Sequence, residues 1–433
     1  MNGLAAFSAG LLSVIAAGFL AGAALFVLRV RSGGVAGPPA QPLPKAIVLL
    51  PLRGTDPHLE QCLGSLFTQD YPDYEVSIVI DSASDPSGSI VSRLVDQHPG
   101  VKVKVDLLRR RLPTCSMKCS ALLQMTEKLD EDTEIVVLLD GDVVPHATWL
   151  RELAGALGEE GAGVTFGIPW YQPHEGRWGS VVRKVWWIPG AVCMALFGWV
   201  WGGSAAIRAQ VLIESGLRDR WRRALSSDAP MLAAVRSLGL KTKWVPSLIM
   251  ANTEECELRP FHAQVLRSLT TSRLYLPRWT LTDVTVLGLM ASLAVSAAVF
   301  TASLLRQDAL AATVSGGALA AYLMILTALL LLVESKACSV IRGNGVGVPP
   351  MTLATVGKCI LAIPVAHLFY FAGIIEAHFV RRVWWRGVKY AVRGSWDIRL
   401  LDVKSAAGAV RRKGRGTPVS PETAVKPSNG MSD

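Results

Sequence analysis

The sequence predicts an α/β fold with a mostly parallel sheet, joined to several membrane helices. Two observations predict the sheet: short apolar runs alternate with amphipathic segments between residues 46 and 139, and two of these runs end in an aspartate. A third observation predicts the membrane helices, because long uncharged runs flank this region on both sides. With 51% hydrophobic residues and a mean hydropathy of +0.36, the 433-residue chain is too apolar for a purely soluble protein.

The elements of the sheet region follow one another as strand, helix, strand and helix. Four apolar runs are predicted as strands: residues 46–50, 76–80, 101–105 and 135–139. Three amphipathic runs between them are predicted as helices: residues 57–67, 87–95 and 116–128. In open sheets of this kind, ligands bind at the carboxyl ends of the strands, where Asp81 and Asp140 lie.

Long apolar runs predict the membrane segments. Residues 4–28 carry no charge and follow no basic segment, so they are interpreted as an uncleaved anchor within an N-terminal region of residues 1–32. Residues 284–305 and 309–333 are separated by three residues only, which predicts a transmembrane hairpin. Residues 351–375 contain Lys358 and Pro364 and are therefore predicted to be interfacial or re-entrant.

The C-terminal segment is strongly basic. Residues 381–433 hold 12 Lys/Arg and 4 Asp/Glu, a net charge of +8 out of +10 for the whole chain. A basic segment directly after an apolar run is typical of a cytoplasmic, membrane-facing tail. No nucleic-acid recognition motif accompanies the charge, so no nucleic acid is expected as a partner.

One apolar run between the sheet region and the hairpin needs a separate interpretation. Residues 185–207 are uncharged and carry four tryptophans, which hydropathy alone would assign to a membrane span. A span here would put the chain before and after it on opposite sides of the bilayer. Because aromatic residues stand at both ends, with Arg183 and Lys184 just before, a partly buried interfacial helix is expected.

The predicted strand 135–139 is followed by Asp140-Gly141-Asp142. Two carboxylates this close repel each other, and each prefers water or a positive charge. The segment alone leaves two interpretations open: a strand end that meets solvent, or a site for a cation.

An ordered series of motifs resembles the membrane-bound family 2 glycosyltransferases, especially the ceramide glucosyltransferase-like branch. The resemblance covers residues 45–279, and its motifs are Pro51-Leu52-Arg53-Gly54, Gln69-Asp70-Tyr71-Pro72, Ile80-Asp81-Ser82, Asp140-Gly141-Asp142, Trp201-Gly202-Gly203-Ser204 and Ser227-Asp228. The resemblance implies a GT-A-like, Rossmann-like domain over residues 45–282, a UDP-sugar donor and a lipid acceptor. It also implies a C-terminal membrane region over residues 283–380, and a cytoplasmic tail over residues 381–433.

The resemblance assigns roles to individual residues. Asp142 is expected to bind Mn²⁺ or Mg²⁺ directly, with Asp140 on the metal through water or on the ribose, and Asp228 is expected to be the catalytic base. The alternative for Asp228 is a helix cap. Further donor contacts are expected from Asp81, Lys118, Gly203 and Ser204.

The last motif of the family matches this sequence only in part. That motif consists of Gln or Arg, then any two residues, then Arg-Trp. One register gives Gln264 and Arg267 followed by serine, and another gives Tyr275, Arg278 and Trp279. Arg273 is a third possible cation for the diphosphate, and Arg273 and Arg278 are the predicted donor contacts.

The sequence therefore predicts an inverting, metal-dependent hexosyltransferase in a multi-pass membrane protein. Its catalytic domain is expected on the cytoplasmic face, in the inner membrane of a bacterium. A polysaccharide-forming synthase and an inactive membrane scaffold remain as alternatives. An inactive relative would be expected to have lost acidic positions, whereas Asp81, Asp140, Asp142 and Asp228 are all present.

Overall fold

The computed structural model describes residues 2–32 and 43–404. Residues 33–42, between the predicted anchor and the sheet region, and residues 405–433, at the end of the predicted tail, lie outside the described residues. The strands are β1 (Ala46–Leu52), β2 (Tyr74–Ile80), β3 (Lys102–Leu107), β4 (Ile135–Leu139), β5 (Ala162–Tyr171), β6 (Ser204–Arg208), β7 (Lys241–Asn252), β8 (Arg382–Trp385), β9 (Val388–Gly394) and β10 (Asp397–Val403). The helices are α1 (Asn2–Ser32), α2 (Leu59–Leu66), α3 (Ser87–Gln97), α4 (Met117–Met125), α5 (Trp149–Leu157), α6 (Trp178–Phe197), α7 (Ala209–Glu214), α8 (Leu217–Trp221), α9 (Ala229–Arg236), α10 (Leu258–Tyr275), α11 (Trp279–Leu305), α12 (Ala309–Gly343) and α13 (Leu353–Phe379).

Seven strands form the central sheet in the order β3-β2-β1-β4-β6-β5-β7. The β1 strand pairs in parallel with both β2 and β4, and β2 pairs in parallel with β3. The β6 strand runs antiparallel to its neighbours β4 and β5, so the sheet is mostly parallel, as predicted. All four predicted strands and three predicted helices of residues 46–139 are present, with ends that differ by up to three residues.

The two faces of the sheet are covered by different helices. Because strand residues alternate between faces, Val48 and Leu50 of β1 pack into one apolar cluster with residues of α2, α3 and α5. Ile47 and Leu49 point to the other face, into a cluster that includes residues of α4, α6, α10, α12 and α13. This second face joins the sheet to the apolar helices, so the sheet and the membrane region share a core.

Among the described residues, five helices are long and apolar enough to cross a membrane: α1, α6, α11, α12 and α13. The helices α1, α11 and α12 pack together as a bundle. Ala5 contacts Val299 and Ala311 at one end of the bundle. At the other end Phe26 stacks on Trp244, with ring centroids 5.2 Å apart. The N-terminus and the α11–α12 turn therefore lie at the end of the bundle away from the sheet.

The α13 helix is continuous over 27 residues, which excludes the broken helix of a re-entrant segment. Both of its ends contact the sheet side of the molecule. Near its start, Lys358 Nζ donates to the Gly176 carbonyl at 3.3 Å. Near its end, Glu376 lies 3.1 Å from His262 of α10.

Two expectations about boundaries are wrong. Residues 185–207 do not form one helix: α6 ends at Phe197, where Gly198 adopts a positive φ of 72° as its cap, and β6 begins at Ser204. Glycine takes this left-handed conformation without strain, so it stops the helix although the apolar run continues. Residues 381–433 are not a simple tail, because β8, β9 and β10 form an antiparallel three-stranded sheet, here called the C-terminal meander.

Candidate active site

The parallel strands bring the predicted acidic residues to one edge of the sheet. Asp81 directly follows β2 and Asp140 directly follows β4, and both strands flank β1 in the same direction. A cavity of about 2270 Å³ lies at this edge. Six of the predicted residues line it: Asp81, Lys118, Asp140, Asp142, Asp228 and Arg278.

A hydrogen-bonded chain connects three of these residues through the peptide groups of Gly202. Lys118, in the first turn of α4, lies 2.6 Å from Asp140 Oδ1 and also donates to the Gly202 carbonyl at 3.1 Å. The Gly202 N–H in turn donates to Asp228 Oδ2 at 2.9 Å. A Cβ atom at Gly202 would lie 3.1 Å from the Asp228 Cβ, so the close approach of the two segments favours glycine.

Asp228 also begins α9 as its N-cap, which confirms the capping role. Its Oδ1 accepts from the Ala229 N–H at 2.8 Å, and the Ser226 hydroxyl donates to the same oxygen. These contacts, together with that from Gly202, fix the direction of a carboxylate that lines the cavity. Capping leaves the side chain half-buried and within reach of a bound molecule.

Asp142 is half-buried, and no described group donates a hydrogen bond to its carboxylate. Burial, together with the nearby charge of Asp140, raises the pKa of Asp142 to about 6, although Arg386 opposes the shift. A carboxylate in this position gains from a cation nearby.

Asp81 is 6% exposed and is held by two arginines. Arg53 forms an ion pair with its Oδ2, and Arg111 lies 3.3 Å from the same oxygen. Its Oδ1 is buried and has no hydrogen-bond partner among the described residues. A buried acceptor without a donor is costly, so this oxygen is a candidate for contact with a ligand.

Gly203 and Ser204 do not line the cavity, contrary to their predicted contact with the donor. The Ser204 hydroxyl is fully buried and accepts from Trp149 Nε1 at 2.8 Å. The Gly203 carbonyl accepts from the Asp140 N–H at 3.3 Å. Both residues hold the ends of β4 and β6 together, and both are buried in the protein.

Of the two arginines predicted to contact the donor, one lines the cavity and the other does not. Arg278 lines the cavity from an exposed turn, but Arg273 does not line it. Instead, Gln264, Arg267 and Thr271 of α10 line the cavity, because residues three and four positions apart share one helix face. Burial lowers the pKa of Arg267, although the nearby carboxylates oppose the shift. The register that begins at Gln264 therefore lines the cavity with both its glutamine and its arginine, whereas the other register contributes Arg278 and Trp279 but not Tyr275. Arg267 lines the cavity in place of Arg273.

Residues of the C-terminal meander enter the cavity and were missed from the sequence. Trp384, Trp385 and Arg386 line it, and Arg386 lies 2.8 Å from Asp56. Val388, Tyr390 and Val392 alternate with other residues along β9 and are all buried. Apolar residues at every second position predict a strand. The high net charge of the segment, considered alone, predicts a basic tail instead.

The far end of the cavity is apolar. Its walls there come from five helices, with Phe19 of α1, Val192 of α6, Leu289 of α11, Leu330 of α12 and Ile363 of α13 among the lining residues. One continuous space therefore runs from the carboxylates at the sheet edge to the apolar helices.

Two solved structures match this chain at low sequence identity, with TM-scores below 0.5. The mannosyltransferase PcManGT from Pyrobaculum calidifontis, solved with GDP-Man and Mn²⁺, is 19% identical over 76% of this chain and 99% of that chain, with a TM-score of 0.48. The S. aureus TarS fragment 1-349 is 13% identical over 83% of this chain and 100% of that chain, with a TM-score of 0.33.

Sequence relatives match over short segments. The ceramide glucosyltransferase of Komagataella phaffii is 38% identical over 58 residues, which is 13% of this chain and 11% of that protein. Ceramide glucosyltransferase 1 of Caenorhabditis elegans is 34% identical over 67 residues, which is 16% of this chain and 14% of that protein. The family model of glycosyl transferase family 21 matches residues 11–397, so the chain belongs to this family and is a glycosyltransferase, as its motifs predicted.

Proposed function

We propose that this glycosyltransferase moves a hexose from a UDP-sugar to a membrane lipid, with inversion at the sugar carbon and with a divalent metal ion. The observation that carries the proposal is the single cavity that joins Asp140 and Asp142 to the apolar side chains of five helices. A nucleotide-sugar needs the charged part of such a space, and a lipid needs the apolar part.

The residues present fit a hard divalent cation. Asp142 supplies a carboxylate without a hydrogen-bond donor among the described residues, and Asp140 stands beside it. Among the described residues, no group of three or more His, Cys, Asp and Glu side chains is arranged to hold a metal. Two carboxylates suit Mg²⁺ or Mn²⁺, which complete their shells with water and phosphate oxygens. When bound, the metal ion supplies positive charge to the diphosphate leaving group.

Other residues of the site would hold the donor. The unpaired Oδ1 of Asp81 offers a buried acceptor for an N–H or O–H of the nucleoside. Lys118, Arg267 and Arg278 bring positive charge to the same cavity, where a diphosphate would carry negative charge.

Asp228 would act as the general base. Inversion by single displacement requires a carboxylate to take the proton of the acceptor hydroxyl as the new sugar–oxygen bond forms. The hydrogen bonds from Gly202 and Ala229 fix this carboxylate at the cavity wall. Its link through Gly202 to Lys118 supports a position for this carboxylate beside a bound donor, and the apolar end of the cavity would deliver the acceptor.

The contacts of α13 support one membrane topology. If α1, α11 and α12 cross the bilayer, the N-terminus and the sheet lie on opposite sides of it. Arg29 and Arg31 at the sheet end of α1 favour the cytoplasm for the side of the sheet. Because both ends of α13 contact the sheet side, we propose that α13 lies at the interface and returns the chain to the cytoplasm. The C-terminal meander then lies on the same side as the sheet, which agrees with its basic composition.

The test is incubation of the purified protein with Mn²⁺, a panel of labelled UDP-sugars and a membrane lipid extract. The expected product is one labelled glycolipid, whose anomeric configuration by NMR is opposite to that of the donor. Labelled polymer would favour a polysaccharide synthase instead, and no product with any donor would favour a scaffold.

A further inference from the structure

The C-terminal meander is attached directly to the walls of the donor site. Tyr390 of β9 accepts from the Met117 N–H at 3.1 Å, next to Lys118. The Leu400 N–H of β10 donates to the Pro113 carbonyl at 2.8 Å. These contacts hold the small sheet over the end of β1 and the start of α4.

Arginine side chains also tie the meander to both neighbouring parts of the cavity. Arg53, which pairs with Asp81, donates through Nε to the Arg386 carbonyl at 2.9 Å. The Arg267 guanidinium of α10 lies 5.0 Å from the centre of the Trp385 ring, a cation–π contact. The meander is thus fixed against the segments that carry the predicted nucleotide contacts.

The turn between β8 and β9 points one cation into this site. Arg386 and Gly387 have positive φ values of 45° and 75°, which is the two-residue hairpin turn that matches the twist of paired strands. Arg386 is a non-glycine residue at such a φ, so the turn holds its side chain in an uncommon backbone conformation. The side chain contacts Asp56, is 38% exposed and lines the cavity.

The hydrogen-bond donors of Arg386 are only partly used. Its Nη1 contacts Asp56 Oδ2 at 2.8 Å and the Arg53 carbonyl at 3.3 Å. Among the described residues, Nε and Nη2 donate no hydrogen bond. Asp140 and Asp142 lie close enough to interact with its charge. A planar guanidinium with free donors, beside carboxylates suited to a metal ion, matches a phosphate group in shape and charge.

We propose that the C-terminal meander is part of the nucleotide-sugar site and that Arg386 binds the diphosphate of the donor. This inference rests on the proposed function. It assigns to Arg386 a contact with the leaving group, so Arg386 acts both in donor binding and in the transfer step.

The test compares the binding of UDP and of uridine by calorimetry in Mn²⁺. Arg386→Asn removes the cation and keeps a residue that tolerates positive φ. It should weaken UDP binding about 10-fold or more, since a hydrogen bond to a charged group is worth about 1.5–3 kcal/mol. Uridine lacks the diphosphate, so its affinity should stay within about 2-fold. Arg386→Lys keeps the positive charge but lacks the forked guanidinium, so its affinity for UDP should lie between those of the wild type and of Arg386→Asn.

The matched control is Arg393→Asn, an exposed arginine on β9, the strand that follows the turn. It should bind UDP as the wild type does. Unchanged or tighter UDP binding by Arg386→Asn would overturn the inference, as would an equal loss for UDP and uridine. If Arg386→Asn does not fold, the test depends on Arg386→Lys alone. UDP affinity of Arg386→Lys equal to that of the wild type would then overturn the inference. A wild-type protein that binds no UDP contradicts the proposed function itself.

Discussion

Two groups in this molecule, each with a carboxylate paired to a lysine, differ in how fully the hydrogen-bonding capacity of their carboxylates is used inside the protein. The first joins Glu334 of α12 to Lys184 of α6 at 2.7 Å, and both side chains are less than a tenth exposed. Trp170 of β5 and Gln172, just after this strand, donate to the two oxygens of Glu334 at 2.9 Å and 2.8 Å. Each partner is satisfied inside the protein, so nothing is left for a ligand.

The second group is the cluster around Asp140 and Asp142. Lys118 pairs with Asp140, but Asp142 has no hydrogen-bond donor among the described residues, and neither has Asp81 Oδ1. The comparison teaches that burial and charge alone do not mark a site. What distinguishes the site is buried polar capacity left unused beside a cavity. The first group should therefore affect stability without affecting binding, and the second should do the reverse.

The largest effect on transfer is expected for Asp142→Asn. Loss of this carboxylate should remove the metal dependence of UDP binding and reduce transfer about 10³-fold or more, since a bound metal ion stabilises transition-state charge by several kcal/mol. Thermal unfolding in detergent should show no loss of stability, because the variant removes repulsion with Asp140. Equal UDP affinity in chelator and in Mn²⁺ for the wild type would contradict the role of Asp142.

Asp228→Asn should reduce transfer about 10²-fold or more, because general-base catalysis typically contributes 10²- to 10⁴-fold. The amide oxygen can still cap α9, so the fold and the metal-dependent binding of UDP should remain. Single-turnover kinetics alongside calorimetry separate the two effects. A variant that transfers sugar at nearly the wild-type rate would reduce Asp228 to a helix cap.

Substitutions in the Glu334–Lys184 group should lower stability and leave UDP binding unchanged. Glu334→Ala leaves Lys184 buried without its partner and should lower stability by about 3–5 kcal/mol, whereas the protein that remains folded binds UDP normally. The double variant Lys184→Met with Glu334→Met should recover most of that loss, because a buried ion pair is replaced by apolar side chains of similar size. Weakened UDP affinity in the double variant would show that this group also serves the site.

The smallest effect is expected for Ser204→Ala. It leaves the buried Trp149 N–H without an acceptor and should lower stability by about 1–2 kcal/mol. The KM for the donor should be unchanged, because Ser204 points into the core. A raised KM with unchanged stability would restore the predicted donor contact of this residue.

The sequence predicted the sheet well because its strands are local apolar runs, as in Val136 to Leu139, bounded by charged segments. It predicted the acidic residues of the site because strand ends in a parallel sheet meet at one edge. It did not predict which face of α10 meets the cavity, so Arg273 was chosen in place of Arg267. The meander depends on contacts with distant residues such as Met117 and Arg53, which no local pattern reveals.

The most direct measurement is the ratio of UDP released to glycolipid formed, by the purified wild-type protein with a UDP-sugar and Mn²⁺. Without lipid, little UDP should be released. With the lipid acceptor, each UDP should be matched by one glycosylated lipid, because the proposed mechanism brings both substrates to Asp228, which lines the cavity. Release of UDP that is independent of lipid, or a polymer in place of a glycolipid, would contradict the account.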